Sequence, residues 1–434
     1  MKTKLLLSSL LALTVQQTVL AQTDALGYTQ VDMSMGSQYQ NRVFFGLQNN
    51  NQVSQPANSW DIAFYRNSIF AVGSRINDAL DIEVYTASEN LSDWDNINIS
   101  NINNWGEPLY NPDQTTDISE GAFEQGPITS PNPNIPSTGW GIYNTVSHHI
   151  EGKAIFVLKY VNTNTYIKFA IEDAYSGYTF KYSKWNAATS TWGTTETRTI
   201  ANGSDDAYFN YFSFTTGTKV ENLEPPKASW DFMFTKYYTF YNNYMMYPLS
   251  GVIQSPNITV AKVRPETKET STFTVPASTE FSQNITTIGH SWKPISGVYT
   301  DVVYYIKKES EYYRMYFISN GGATTGNMYF KYKNITSVLG VTDIAGKKAS
   351  FGIYPNPTTA DKKVTVLFDV KEKLDNKGTV QVFDLTGKQV YQAELTNQAG
   401  FYKQDLDLSR LIPGNYLVKI TYGGSSETKK LIVK

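Results

Sequence analysis

The sequence predicts a mainly all-β protein, and three observations carry that prediction. Aromatic residues make up 14% of the 434 residues, with 31 Tyr and 22 Phe, while charged residues are only 18%. Half-buried pleated surfaces favour aromatic and β-branched side chains. Apolar and polar residues alternate with period two over many short runs, and long 3.6-residue periodicity is hard to find. The stretches between these runs are rich in Asn, Pro, Gly and Ser, as in 111–141, which marks surface loops.

The N-terminus predicts export. Lys2 and Lys4 precede the apolar run Leu5 to Leu13, which is too short to span a bilayer. Val19-Leu20-Ala21 then offers the slim residues a signal peptidase reads, so residues 1–21 are a predicted signal peptide cut before Gln22. The chain has no cysteine, so disulfides and thiolate metal sites are excluded and core packing must supply the stability. A net charge of -2 without a basic stripe argues against nucleic acid as a partner.

Next comes an internal repeat. Ser59-Trp60-Asp61-Ile62-Ala63-Phe64-Tyr65-Arg66 returns as Ser229-Trp230-Asp231-Phe232-Met233-Phe234-Thr235-Lys236. An alternating strand precedes each copy, with Val43, Phe45 and Leu47 in the first and Phe212 and Phe214 in the second. Each copy closes on similar strands, Tyr178 to Tyr182 and Met328 to Tyr332. Two tandem modules are expected, 22–200 and a degenerate 201–337, then a linker over 338–350.

Residues 351–434 change character. Their net charge is +3, against -5 for the rest. Strict alternation appears at Val364, Val366, Phe368 and Val370, and again at Tyr416, Val418 and Ile420. Leu385-Thr386-Gly387-Lys388 reads as a turn with glycine at a positive φ. The expectation is a small antiparallel sandwich.

This tail resembles the type IX secretion C-terminal sorting domain. The matching segments are Tyr354-Pro355-Asn356-Pro357, Val382 to Lys388, Leu408 to Val418 and Lys429 to Val433. Pro355, Asn356, Pro357, Gly387, Gly414, Tyr416 and Lys430 are its candidate sorting residues. The resemblance implies recognition by the type IX secretion machinery, followed by a sortase-like protease that removes the domain and can attach the cargo to surface lipopolysaccharide.

The two upstream modules resemble the HmuY-like haem-binding family, on the alternating strand followed by Trp60-Asp61-Ile62-Ala63-Phe64 and on the closing Phe-Lys-Tyr strands. The resemblance implies haem held in a loop-lined cleft by paired His or Met side chains. The candidate haem ligands here are His148, His149, His290, Met245 and Met246. Iron accepts imidazole and thioether donors. Adjacent residues such as His148 and His149 point to opposite faces in a strand, so at most one would serve a given cleft. The plainer reading makes them loop histidines and packing methionines.

Trp60 and Trp230 read as core anchors, and Asp61 and Asp231 as acceptors for local backbone donors. Trp94, Trp105, Trp140, Trp185, Trp192 and Trp292 fall in polar loop surroundings, where aromatics could stack on sugars. Asp93-Trp94-Asp95-Asn96 begins like a calcium loop but lacks the glycine and closing glutamate. No nucleophile elbow, H-E-x-x-H or phosphate-cradling loop occurs, so no enzyme is expected. The expected function is a non-enzymatic surface or secreted binding protein. Its ligand is haem, or it is a structural, adhesive or glycan-binding protein without a cofactor.

Overall fold

Strands account for nearly all regular structure in the computed structural model, which describes residues 23–66, 72–241, 245–336, 349–370, 373, 377–396, 398–422 and 425–434. The expected leader over 1–21 and residues 338–348 of the expected linker lie outside the described residues. Helical pieces among them are short 3-10 turns and one four-residue helix, Gly322–Thr325. The predicted all-β class is therefore found. Contacts divide the chain into Met1–Lys333 and Asn334–Lys434.

Among the described residues the first unit has two large apolar cores, beside smaller clusters around Trp60 and Trp230 and around Trp94. One large core gathers Ile62, Phe64, Phe123, Phe169, Phe180 and Phe212. The other gathers Val43, Phe45, Phe232, Phe234, Tyr304 and Phe330. The two copies of the repeat exchange strands between these cores. The hairpin Asn41–Gly46 and Asn51–Pro56 precedes the first Ser-Trp-Asp but pairs with the second copy, Phe45 opposite Phe232 and Val43 opposite Phe234. The hairpin Phe209–Ser213 and Thr218–Val220 precedes the second Ser-Trp-Asp but pairs with the first, Phe212 opposite Ile62. The strand Thr29–Ser34 also crosses, lying against Asn327–Asn334. A division at 200/201 follows chain order, whereas the cores follow the exchange. Alternation tells which face of a strand is buried and leaves its partner open.

The repeated aspartates fasten the exchange. Asp61 N–H donates to Phe212 O at 2.8 Å, and Phe214 N–H donates to Asp61 Oδ2 at 2.7 Å. In the other copy Asp231 N–H donates to Phe45 O at 2.8 Å, and Leu47 N–H donates to Asp231 Oδ2 at 2.8 Å. The remaining oxygens take Tyr160 O–H at 2.7 Å and an ion pair with Lys308 Nζ at 2.8 Å. Asp231 is fully buried. Asp231→Ala leaves the Leu47 N–H and a half-buried ammonium without their acceptor, so it is expected to cost ~3 kcal/mol. Urea unfolding followed by tryptophan fluorescence measures this, and a loss under ~1 kcal/mol would show that the clamp is dispensable.

The second unit is the predicted sandwich. One sheet runs Ala349–Tyr354, Lys363–Val370, Gly400–Asp407, and the other runs Gln389–Leu395, Gly378–Phe383, Gly414–Tyr422, Ser425–Val433. Val364, Val366, Phe368 and Val370 alternate into the core with Val382, Leu406, Val418 and Leu431. The first strand starts at Ala349, two residues inside the expected linker.

Candidate functional site

The haem-ligand candidates stand in separate surroundings. His148 occupies an exposed turn with φ 64°, its Nδ1 2.6 Å from Tyr143 O–H. His149 has Nδ1 2.7 Å from Asp173 Oδ1 and stacks on Tyr175 at 4.7 Å between ring centroids. His290 is held through Nδ1 by Tyr237 O–H at 2.7 Å, and burial lowers its pKa, helped by the charge of Lys293. Met245 and Met246 lie at the end of the long hairpin Phe232–Tyr241 and Met245–Gln254. Met245 is exposed, as are Phe240 and Tyr247 nearby. Tyr241 links two candidates: it is opposite Met245 across the hairpin, and its ring is 6.3 Å from that of His290. His148 and His149 sit instead against first-core elements, on a turn that follows Gly141–Tyr143.

The tryptophans divide differently from the sequence expectation. Trp94, Trp140 and Trp292 are buried rather than displayed on loops. Trp292 stacks on Phe317 at 3.9 Å, Trp140 Nε1–H donates to Glu124 Oε1 at 2.9 Å, and Trp94 takes Lys168 Nζ over its ring at 4.4 Å. The rings pack inward while their indole N–H groups find partners outside the adjacent polar residues, Thr195 Oγ1 at 2.9 Å for Trp94 and the Gly289 carbonyl at 3.1 Å for Trp292, so polar neighbours in the chain do not report exposure. Trp105, Trp185 and Trp192 remain partly exposed. Trp60 and Trp230 are core anchors, edge-on to Tyr211 at 4.9 Å and to Phe44 at 5.2 Å. Asp93 lies in a 3-10 turn and accepts from Ser88 O–H at 2.6 Å. No cluster of three metal-binding side chains occurs among the described residues.

A polar chamber at the seam between the two copies was not foreseen. It measures about 50 Å³ and takes residues from both copies, among them Arg42, Trp60, Arg75, Asp78, Tyr211 and Lys236. Arg42 is 3% exposed, and its Nε and Nη2 have no acceptor. Three rings face its guanidinium, Tyr211 at 4.6 Å, Trp60 at 5.0 Å and Phe44 at 5.2 Å. Glu224 accepts instead from Tyr211 O–H at 3.0 Å and from the N–H groups of Tyr208 and Phe209. Arg75 Nη1 donates to Ile118 O at 3.1 Å and Glu120 O at 2.6 Å. Burial pushes the Asp78 carboxyl up to about 7, against the pull of Arg75 and an Asn111 hydrogen bond of 2.8 Å. The sequence signal was an arginine inside an otherwise apolar strand, Arg42-Val43-Phe44-Phe45.

In the second unit two of the sequence-predicted residues, Asn356 and Lys430, meet. Asn356 reaches from the end of the first strand to the last strand of the other sheet. Its Nδ2 donates to Lys430 O at 2.8 Å, and Ile432 N–H donates to its Oδ1 at 2.9 Å. Thr358 continues the clasp, its N–H donating to Ile432 O at 2.8 Å. Pro355 and Pro357 flank Asn356 and fix the chain direction there. Gly387 takes φ 86° in the turn, where Asp384 Oδ1 accepts from Thr386 and Lys388 N–H groups. Gly414 opens the strand that carries Tyr416, whose buried ring places its O–H 2.9 Å from Ile412 O. Lys430 is exposed, opposite Leu417.

No curated protein matches the chain. No helix among the described residues is long and apolar enough to cross a membrane. Residues 352–434 match the family described as Secretion system C-terminal sorting domain. The clasped sandwich is thus a type IX sorting domain, and the chain that carries it is handled by the type IX secretion machinery and is secreted or held at the cell surface.

Proposed function

We propose that residues 23–336 are a cargo that works by binding rather than by catalysis, outside the cell, after type IX export. The observation that carries this reading is the sorting domain at 352–434 behind a separate two-core β unit. Likeness to that family further supports removal of the tail by a sortase-like protease and attachment of the cargo to surface lipopolysaccharide.

The ligand of this cargo is taken to be recognised without a bound cofactor. A haem reading rests on the HmuY-like resemblance and on one local feature, the nearness of both His290 and Met245 to Tyr241. Titration of the full chain with hemin separates the two. The expected result is no saturable Soret shift. A saturable shift that disappears in His290→Ala or Met245→Ala would make haem the ligand and those residues its holders.

A further inference from the structure

Burying a guanidinium without an acceptor costs several kcal/mol, and folded chains seldom leave one so. Arg42 comes close to this: its Nε and Nη2 have no acceptor, while the Tyr211 hydroxyl oxygen takes a hydrogen bond from the guanidinium. The rings of Tyr211, Trp60 and Phe44 favour its charge but accept no N–H hydrogen bond in its plane. The chamber it lines is about 50 Å³, well above the ~10–15 Å³ that admits one water. Cations outnumber carboxylates there, since Arg42, Arg75 and Lys236 line it with one acidic side chain, Asp78. Arg75 is already engaged by two backbone carbonyls, and Glu224, which feels the charge of Arg42, accepts its hydrogen bond from Tyr211 O–H instead. Ile76, Ile118, Met233 and Ile253 give an apolar part of the wall, beside the neutral polar Asn77, Asn111 and Thr235.

We propose that this seam chamber binds a small organic carboxylate with a short apolar tail, the carboxylate taken by the free Nε and Nη2 edge of Arg42. A planar carboxylate matches two N–H groups of a guanidinium side by side; phosphate can do the same, so it is the apolar part of the lining that selects a monoanion with a tail over phosphate. The tail lies against the isoleucines and Met233, away from water. Both copies of the repeat line the chamber, so the ligand also ties the two cores together and favours the exchanged arrangement. The proposal rests on reading the first unit as a binding unit.

Butyrate serves as the probe, with the full chain and proton NMR line broadening as the readout. The expected result is saturable broadening of unaltered butyrate, weaker for acetate and absent for phosphate at equal ionic strength. Arg42→Gln is expected to weaken binding at least ~10-fold, the scale of one lost charged hydrogen bond. Lys236→Met, at a half-exposed position that does not hold the core, is expected to weaken it several-fold. No saturable broadening with the native chain overturns the site, as does equal uptake of phosphate or undiminished binding by a folded Arg42→Gln. If Arg42→Gln does not fold, Lys236→Met decides, and undiminished binding by it overturns the charge argument. Chemical conversion of butyrate in the same samples would instead overturn the non-catalytic reading while keeping the chamber.

Discussion

Deletion of residues 351–434 is expected to leave the chain in the periplasm, with none of it at the surface or in the medium. The tail has its own core and its own two sheets, so removing it takes away the address without opening either core of the cargo. Fractionation and immunoblotting of cells and medium check the result. Truncated chain in the medium at wild-type level would refute the sorting role. Within the tail, the Asn356 clasp joins the start of the domain to its last strand through two backbone hydrogen bonds. A receptor that reads the folded sandwich reads a shape this clasp helps to hold.

Arg314→Ala is expected to destabilise the first unit by ~3–5 kcal/mol, the scale for breaking a buried ion pair from one side. Arg314 is fully buried. Its Nη2 lies 2.6 Å from Glu266 Oε1, its Nη1 donates to Tyr28 O–H at 2.6 Å and to Lys268 O at 2.8 Å, and its Nη2 also donates to Thr267 O at 2.6 Å. One side chain thus holds the 266–268 loop to the sheet and reaches the tyrosine that precedes the first strand. Its removal leaves a carboxylate, a hydroxyl and two carbonyls facing a void, so loss of solvation adds to loss of packing. Urea unfolding measures the change, with Arg314→Lys as a control that keeps charge but loses the fork. A change within ~1 kcal/mol would mean that the loop is held by other contacts.

By itself the sequence determined the class of structure, the existence of the sorting sandwich, and the local roles of the repeated Ser-Trp-Asp motif. Asp61 and Asp231 were legible as acceptors for backbone donors, and Trp60 and Trp230 as anchors, because a buried polar group and a large ring have few ways to be satisfied. The alternation at Val364 to Val370 fixed which side chains enter the tail core, since successive residues of a strand face opposite ways. Only the tertiary structure decided that Phe214 and Leu47, the donors those aspartates serve, come from hairpins traded between the copies. It also decided that Trp94, Trp140 and Trp292 face inward, and that Arg42 and Lys236, far apart in the chain, line one chamber. The physical reason is range. Periodicity and motif report on a few neighbouring residues, whereas strand partners and cavities are set by contacts between segments whose separation along the chain carries no pattern.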